Sequence, residues 1–334
     1  MLLGCEWKKL LRYVVLITVF IIYTFAIYFP DYKRPPVKQV AGWELNVTRD
    51  VRVYVVPENI TSIISGKNLC EDQKVNVIII VCSAPENVDR RLAIRQTWGL
   101  HNFSNVRVGF LLGWTYNISL QIQIEQESSE YHDVIQENFI DSYNNLTIKS
   151  VMMLKWYIHY CPSSTYLMKT DDDVFVNVTN LSRLLENLNY TVVLLGSLIC
   201  HAKPILDVNN KWYSPKYLYR KAFYPNYLSG TGYVMSRQVA VKLFNAALTT
   251  PLIHLEDVYI TGICALKAGV KPKNNMAFTY LHLSDNCLLN MITNHRMTPQ
   301  ELYILWKNRN NCVEKPRLTA THRTKLKKIQ SDCH

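Results

Sequence analysis

The sequence predicts an α/β fold with a doubly wound, parallel sheet, and two observations support this class. The run VNVIIIVCS from Val75 is apolar and β-branched, as a strand buried on both faces requires. Helix-like and strand-like segments then alternate along the chain, as in βαβ units. The predicted helices are 87–98, 146–160, 237–249, 255–268 and 298–308, and the predicted further strands are 107–112 and 166–169.

Composition limits the classes of protein that remain. The chain has 334 residues, of which 49% are hydrophobic, with 37 Lys plus Arg against 26 Asp plus Glu. These values exclude a disordered, collagen-like or small disulfide-stapled protein. The length is compatible with two domains, or with one large α/β domain that carries an N-terminal extension. The net charge of +11 favours an acidic partner such as nucleic acid, phosphate or anionic lipid.

An uncharged apolar segment near the N-terminus predicts a membrane anchor. Residues 13–29 read YVVLITVFIIYTFAIYF and would cover roughly 25 Å as a helix, which nearly spans a bilayer. No small-residue cleavage site follows, so a retained signal anchor is favoured over a removed signal peptide. The predicted organisation is a cytoplasmic tail (1–12), a transmembrane helix (13–29), a stem (30–75), a main domain (76–312) and a basic tail (313–334).

Sequons and cysteines place the body of the chain in a secretory lumen. Eight of the nine cysteines follow the anchor, and an even number suits the disulfide bonds of an oxidising compartment. We therefore expect a type II membrane glycoprotein, and its luminal location argues against nucleic acid as a partner. The positive charge then serves a diphosphate group, anionic glycans or no specific partner. The Asn-x-Ser/Thr glycosylation sites, all after the anchor, begin at Asn46, Asn59, Asn102, Asn117, Asn145, Asn177, Asn180 and Asn189.

Three consecutive aspartates form the sharpest local signal. Asp171, Asp172 and Asp173 follow the predicted strand YLMK and precede VFVNV. Carboxylates at i and i+2 of a strand-end turn can hold one divalent cation, and Mg²⁺ or Mn²⁺ prefers such oxygens while keeping positions free for phosphates. A polar turn or a helix cap is the alternative. We favour a metal site, because three adjacent like charges repel unless a cation or solvent relieves them.

A second acidic pair, Glu256 and Asp257, precedes the helix-like segment DVYITGICALKAG. One carboxylate of the pair could act as a general base, which requires a carboxylate close to a hydroxyl group and an electrophile. The two acidic side chains could equally complement the positive end of a helix. Local sequence leaves both interpretations open.

The run YLSGTGY carries two glycines between aromatic residues. Gly230 and Gly232 would allow close backbone approach to a ligand, and Tyr227 could stack on a sugar face, although the same pattern is also an ordinary turn. The chain contains no Walker loop, G-x-G-x-x-G, H-E-x-x-H or G-x-S-x-G pattern. These absences argue against a P-loop NTPase, a Rossmann dehydrogenase, a zincin and an α/β-hydrolase.

Basic side chains provide weaker candidates. Arg90, Arg91 and Arg95 lie in the helix that follows the first buried strand, where guanidinium groups and a helix N-terminus could bind a diphosphate. Exposed arginines are more often only solvated. Three histidines could each donate an imidazole to a metal ion, although a single histidine is more often structural: His254, His282 and His295.

Six blocks, taken in order, closely resemble the β-1,3-galactosyltransferase family, which is glycosyltransferase family 31. The blocks are RRLAIRQTWG (90–99), FLLG (110–113), HDVIQENFIDSYNNLTIKS (132–150), MKTDDDVFVNV (168–178), YLSGTGYV (227–234) and LEDVYITG (255–262). The resemblance covers residues 76–312 and implies the GT-A nucleotide-sugar-binding fold, a Rossmann-like mixed and mostly parallel sheet. It also implies a type II protein of the Golgi membrane with a luminal catalytic domain.

The resemblance implies a reaction as well. We expect an inverting enzyme that moves galactose from UDP-galactose to the 3-hydroxyl of an acceptor sugar on a glycoprotein or glycolipid, with Mn²⁺ or Mg²⁺ as cofactor. Two alternatives stay open. One is a β-1,3-N-acetylglucosaminyl- or N-acetylgalactosaminyltransferase, and the other is a catalytically silent, glycan-binding member of the family.

The resemblance also implies roles for individual residues. Asp173 is the expected direct metal ligand, together with Asp171 and with His295 in NHRMTPQEL. Asp257 is the expected general base, with Glu256 as the alternative. The groups expected to contact the UDP-sugar are Arg91, Arg95, Asp171 and Asp172, and the expected acceptor and donor loop contains Tyr227, Gly230 and Gly232.

Three positions depart from the family pattern. Leu228 stands where many relatives have cysteine, so the family's disulfide arrangement does not transfer intact. Asp172 stands where several galactosyltransferases have serine, and this leaves the donor sugar open. The segment EDVYITG has one residue more than the EDVYVG of many relatives, and we expect the extra residue to shift the following helix without moving Asp257.

Overall fold

The computed structural model describes residues 7, 11–21, 48–71, 75–100, 105–188, 191–283, 290–309 and 333. The chain forms two compact units, residues 1–36 and 37–334. In the first unit residues 11–21 are helical. Residues 22–29 of the predicted anchor lie outside the described residues, and over the described ranges no helix has the length and hydropathy needed to cross a membrane.

The second unit contains the α/β domain. Its strands over the described ranges are β1 (Ser62–Ile64), β2 (Val77–Cys82), β3 (Val106–Trp114), β4 (Val134–Ile140), β5 (Tyr166–Asp171), β6 (Val174–Val176), β7 (Leu194–Ile199), β8 (Tyr227–Ser236), β9 (Lys273–Asn274) and β10 (Thr293–His295). Its α-helices there are α1 (Val51–Val55), α2 (Val88–Gln96), α3 (Ile118–Tyr131), α4 (Leu146–Tyr160), α5 (Val178–Glu186), α6 (Arg237–Ala247), α7 (Ala265–Lys267) and α8 (Pro299–Asn308). A π-helix, Val258–Cys264, precedes α7.

The main sheet has the strand order β1-β4-β3-β2-β5-β8-β7-β9. The central strands β4, β3, β2 and β5 are parallel, whereas β8 is antiparallel to both β5 and β7. The sheet is therefore mixed, as the family resemblance implied, rather than purely parallel. Every residue of β2 is buried, which confirms the two-sided burial predicted from its β-branched run.

The order in which the parallel strands follow one another along the chain changes direction at β2. Strand β2 pairs with β3 on one side and with β5 on the other, and Cys82 at the end of β2 lies opposite Asp171 at the end of β5. A reversal of this kind leaves a crevice at the carboxyl ends of the two strands, where ligands of open α/β sheets bind. The aspartate triplet begins at the last residue of β5 and lies at this crevice.

Predicted helices agree with the structure where the sequence carries its own end signals. Helix α4 has the predicted bounds, since Cys161-Pro162 ends it, and α8 is held by a capping box between Thr298 and Glu301. The predicted helix 255–268 differs, because half of it is π-helical. A π-helical turn takes up more residues than an α-helical turn, and this π-helix contains the VYITG of EDVYITG.

Part of the predicted stem (30–75) is folded into the α/β domain. In α1, Val51 and Val55 are buried in the domain core, whereas Val53 is 48% exposed. The alternating valines therefore belong to a helix whose i and i+4 positions face the core. Strand β1 extends the sheet by pairing with β4, so the described residues from 48 onward form part of the folded domain.

Two disulfide bonds agree with the predicted oxidising compartment. Cys70 pairs with Cys161, which joins the segment after β1 to the end of α4, and Cys200 pairs with Cys333. Cys82 and Cys264 are buried free thiols. Cys5, Cys287 and Cys312 lie outside the described residues.

Candidate active site

A cavity of about 630 Å³ opens beside the carboxyl end of β5. Its walls carry four acidic side chains, two histidines and several aromatic residues. It brings together predicted site residues from four separate segments of the chain: Asp171, Asp173, Tyr227, Gly230, Glu256, Asp257 and His295.

Pairing of two short strands brings Asp173 and His295 together. Strand β6 begins immediately after Asp173 and pairs with β10, which places His295 opposite Val174. The backbone N–H of Met297 donates to the carbonyl oxygen of Asp173 at 2.8 Å. As a result the Nε2 atom of His295 lies 3.5 Å from Oδ2 of Asp173.

The arrangement of His295 suits a metal ligand. Its Nδ1 lies 3.0 Å from the carbonyl oxygen of Tyr280, which can only accept, so Nδ1 carries the proton and Nε2 is directed toward Asp173. Burial raises the pKa of Asp173, and the neighbouring His295 acts in the opposite direction. A carboxylate oxygen and an imidazole nitrogen beside an open cavity fit Mn²⁺ or Mg²⁺, which commonly takes few protein ligands and completes its shell with phosphates.

The protein atoms alone do not form a complete metal cage. Within the described ranges, no three side chains of His, Cys, Asp or Glu come together as a metal-binding group. Asp171 lines the cavity, but its Oδ1 accepts a hydrogen bond of 2.8 Å from Lys169. The candidate metal pair is therefore Asp173 with His295, and Asp171 lies beside it.

Asp172 has a different place from its two neighbours. Its carboxylate is buried and accepts hydrogen bonds from Ser83 at 2.7 Å and from Asn87 at 2.8 Å, while Arg90 lies 3.7 Å away. It does not line the cavity. The prediction that Asp172 contacts the donor is thus not supported by its position, which instead ties the turn after β5 to the segment after β2.

Asp257 is the carboxylate best placed to act as a base. Its Oδ1 accepts from the backbone N–H of Val258 at 2.8 Å, and its Oδ2 accepts from that of Gly230 at 3.3 Å. Burial and the adjacent Glu256 raise the pKa of Asp257 to about 6. The bond to Val258 also caps the π-helix, in agreement with the helix-end interpretation. The same carboxylate lines the cavity, as the general-base interpretation requires.

Glu256 is fully engaged in hydrogen bonds. Its Oε1 accepts from the Tyr233 hydroxyl at 2.5 Å, and its Oε2 lies 3.3 Å from the ammonium nitrogen of Lys169. Both oxygens of this buried carboxylate thus have partners. The alternative assignment of Glu256 as the base is therefore disfavoured, and its position suits the support of Asp257.

The predicted glycine loop is a strand. Tyr227, Gly230 and Gly232 all lie in β8, where Gly232 pairs with Thr170 of β5. A Cβ atom on Gly232 would lie 2.9 Å from a side-chain carbon of Thr293, and one on Gly230 would lie 3.1 Å from Oε2 of Glu256. The glycines therefore permit close packing of β8 against the site instead of forming a turn.

The structure corrects the role predicted for Arg91 and Arg95. Arg91 is 1% exposed, and its guanidinium donates to both oxygens of Glu127 at 2.7 Å and to two backbone carbonyls. Arg95 donates to Glu127 and Asp133. Neither arginine lines the cavity, because both hold α2 against α3 and the start of β4.

Several side chains that line the cavity were not singled out by the sequence analysis. Lys169 is a buried lysine in β5. A charged residue within the apolar strand YLMK could have marked it as a functional candidate. Trp212 and Tyr143 add aromatic surface from segments without a recognisable pattern. His254 also lines the cavity, where burial lowers its pKa to about 4, whereas His282 lies against Glu301 at 3.2 Å.

The predicted glycosylation sites differ in accessibility. Asn59 and Asn117 are exposed, whereas Asn177 and Asn180 are partly buried, and Nδ2 of Asn180 donates to the carbonyl of Met291. Asn145 is buried and its Nδ2 donates to the carbonyl of Ile140 at 2.8 Å, so the structure contradicts glycosylation there. Asn46, Asn102 and Asn189 lie outside the described residues.

Comparison with known proteins defines the class. A family model described as Galactosyltransferase matches residues 89–276, which include the aspartate triplet and the Glu256–Asp257 pair. The protein is therefore an enzyme of the hexosyltransferase class. It belongs to the galactosyltransferase family, which confirms the resemblance found in the sequence blocks.

Curated relatives support the same family. The chain is 37% identical over 259 residues to beta-1,3-galactosyltransferase 1 of Mus musculus and of Homo sapiens, covering 75% of this chain and 79% of each relative. It is 37% identical over 262 residues to beta-1,3-galactosyltransferase 2 of Homo sapiens, covering 74% and 61%. Among solved structures, the chain is similar to the apo WbbM bifunctional glycosyltransferase with a TM-score of 0.40 and 9% sequence identity. The match covers 78% of this chain and 52% of that one.

Proposed function

We propose that the protein is an inverting, metal-dependent β-1,3-galactosyltransferase. It would move galactose from UDP-galactose to the 3-hydroxyl of an acceptor sugar on a glycoprotein or glycolipid. The observation that carries this proposal is the shared cavity, which Asp257 lines together with Asp173 and His295. The names of the curated relatives support the choice of galactose and of the β-1,3 linkage.

In the proposed reaction Asp257 is the general base. Its carboxylate accepts the proton of the acceptor's 3-hydroxyl while that oxygen forms a bond to the anomeric carbon of the donor sugar. The bond from the anomeric carbon to the diphosphate oxygen breaks, and UDP leaves with the electron pair. Attack from the face opposite the leaving group inverts the anomeric centre. A carboxyl group with a pKa of about 6 is ionised at neutral pH and still accepts a proton effectively.

Asp173 and His295 are the residues that would hold Mn²⁺ or Mg²⁺. A bound ion of this kind neutralises charge on the diphosphate of the departing UDP. The chain's own contribution is to fix the two side chains, since β6–β10 pairing sets their separation and the carbonyl of Tyr280 orients the imidazole ring. Trp212, which lines the same cavity, offers an aromatic face for the acceptor sugar.

The direct test is a donor and acceptor panel with the full-length protein in detergent. UDP release is followed with UDP-galactose, UDP-GlcNAc, UDP-GalNAc and UDP-glucose over mixed acceptor sugars, with Mn²⁺ or with EDTA. We expect turnover with UDP-galactose that EDTA abolishes. Turnover with UDP-GlcNAc or UDP-GalNAc alone would replace galactose by that sugar. A folded protein that turns over no donor and binds no UDP-sugar in calorimetry would favour the glycan-binding alternative.

We also propose that residues 13–29 anchor the protein in the Golgi membrane with its body in the lumen. The uncharged segment, the exposed sequons at Asn59 and Asn117 and the two disulfide bonds support this topology. Protease treatment of sealed microsomes is the test. We expect the body to be protected and to lose mass on deglycosylation, whereas digestion of the body in intact vesicles would contradict the proposed orientation.

A further inference from the structure

The ammonium group of Lys169 joins three separate parts of the cavity wall. It donates to Oδ1 of Asp171 at 2.8 Å, to the carbonyl oxygen of Gly230 at 2.6 Å and to Oε2 of Glu256 at 3.3 Å. These acceptors lie in β5, in β8 and in the helical residues directly before the π-helix. Since an ammonium group has three protons, all three are used within the site.

The peptide groups around Gly230 continue this connection to the candidate base. The Gly230 carbonyl accepts from Lys169, while the Gly230 N–H donates to Oδ2 of Asp257 at 3.3 Å. Glu256 is held from its other side by the Tyr233 hydroxyl. Lys169 is therefore linked to the carboxylate beside the candidate metal pair, and through Gly230 to the carboxylate of the base.

Charge gives this connection an energetic role. Four carboxylates line the cavity, and like charges in a partly desolvated site repel one another. Lys169 is 4% exposed and forms ion pairs with Asp171 and Glu256. Its ammonium group therefore offsets part of the repulsion among the carboxylates of the cavity.

We propose that Lys169 is a positioning residue for glycosyl transfer, which holds Asp171 and the Gly230–Asp257 contact in one fixed arrangement. The lysine does not touch the reacting atoms. It acts through the carboxylates on the metal side and on the base side of the cavity, so that both sides are in place when donor and acceptor bind. This inference rests on the proposed function, because it assigns Lys169 a task within that reaction.

Lys169→Met tests the proposal, since methionine keeps much of the side-chain volume and removes the charge. We expect kcat to fall by about 100-fold, because small misplacements of reacting groups have effects of this size, while KM for the donor changes less. Removing a cation near Asp257 also makes its ionisation harder. The acid limb of the pH profile of kcat/KM should therefore move to higher pH.

A control variant separates this role from the general cost of losing a lysine that donates three hydrogen bonds. Lys155 also donates three hydrogen bonds, to the carbonyls of Val55 and Val56 and to the Thr61 hydroxyl, and it lies outside the cavity. We expect Lys155→Met to leave kcat and the acid limb of the folded enzyme unchanged. A shift of the limb in this control equal to that of Lys169→Met would overturn the proposal.

Glu256→Gln provides a second test that does not depend on the folding of the Lys169 variant. The glutamine keeps an oxygen for Lys169, but it removes a negative charge that raises the pKa of Asp257. The acid limb of the remaining activity should therefore move to lower pH, opposite to its movement in Lys169→Met. Absence of turnover by the wild type with every donor would refute the proposed function. If the wild type is active and the acid limb of kcat/KM is unshifted in both variants, only the role of Lys169 is refuted.

Discussion

His295 places its Nε2 atom 3.5 Å from Oδ2 of Asp173, although the two residues come from distant parts of the chain. The pairing of β6 with β10 creates this contact, and the carbonyl of Tyr280 fixes which ring nitrogen is directed toward the carboxylate. The two side chains thus form one unit at the cavity wall. Substitution of either should affect the same property of the enzyme.

We predict that Asp173→Ala and His295→Ala each lower metal-dependent transfer by about 100-fold or more, because each removes a ligand of the expected ion. Both variants should require more Mn²⁺ for half-maximal rate where activity is measurable. The check is UDP release as a function of Mn²⁺ concentration. His282→Ala is the control, since His282 contacts Glu301 outside the cavity. Unchanged Mn²⁺ dependence in both Asp173→Ala and His295→Ala would rule out this metal pair.

The raised pKa of Asp257 predicts the pH dependence of transfer. A general base must be ionised, and the pKa of this carboxyl is about 6, so kcat/KM should fall as pH decreases below 6 and level off above it. The direction follows because burial and Glu256 favour the protonated form. The measurement is the pH profile of kcat/KM with Mn²⁺ at saturation. A rate that stays constant down to pH 4.5 would exclude Asp257 in this role.

Arg91 should affect stability rather than donor binding. Arg91→Met leaves the buried Glu127 with part of its hydrogen bonding lost, and breaking a buried ion pair in this way typically costs about 3–5 kcal/mol in free energy of unfolding. We expect a lower unfolding temperature, while the folded fraction keeps its KM for the UDP-sugar. Thermal unfolding and donor titration measure the two effects separately. A raised KM at unchanged stability would restore the diphosphate-binding role predicted from sequence.

Two neighbouring valines test whether α1 belongs to the domain. Val55→Asp places an unpaired charge in the core and should lower the free energy of unfolding by about 3–5 kcal/mol. Val53 is 48% exposed, so Val53→Asp should change stability by less than about 0.5 kcal/mol. Chemical denaturation of both variants is the measurement. Equal, small effects would mean that this segment is a solvated stem.

Sequence patterns predicted the elements that are determined locally. The β-branched run gave β2, the apolar spacing and the Cys161-Pro162 stop gave α4, and the aspartate triplet was expected at the end of a strand, where it lies at the switch between β2 and β5. In each case the residues of a single segment determine both the type of the element and the residue at which it ends. The family resemblance supplied the role of His295, which no local pattern indicates.

The remaining features depend on contacts between distant segments. The glycines of β8 suggested a loop, because glycine is common in turns and unusual inside a strand. Their reason is visible only in the folded chain, where Thr293 and Glu256 leave no room for side chains at Gly232 and Gly230. Arg91 looked available for a diphosphate, because its partner Glu127 lies on another helix. The π-helix after Asp257 also could not be distinguished from an α-helix, since both have similar composition.

The central claim is that Asp257 activates the acceptor hydroxyl in an inverting transfer. The most direct measurement compares wild type with Asp257→Asn, using UDP-galactose, Mn²⁺ and an acceptor on which the wild type is active, and determines the anomeric configuration of the product by NMR. We predict a β-1,3-linked galactose from the wild type and a rate about 100- to 10,000-fold lower from the folded variant. An α-linked product, or undiminished transfer by Asp257→Asn, would contradict the account.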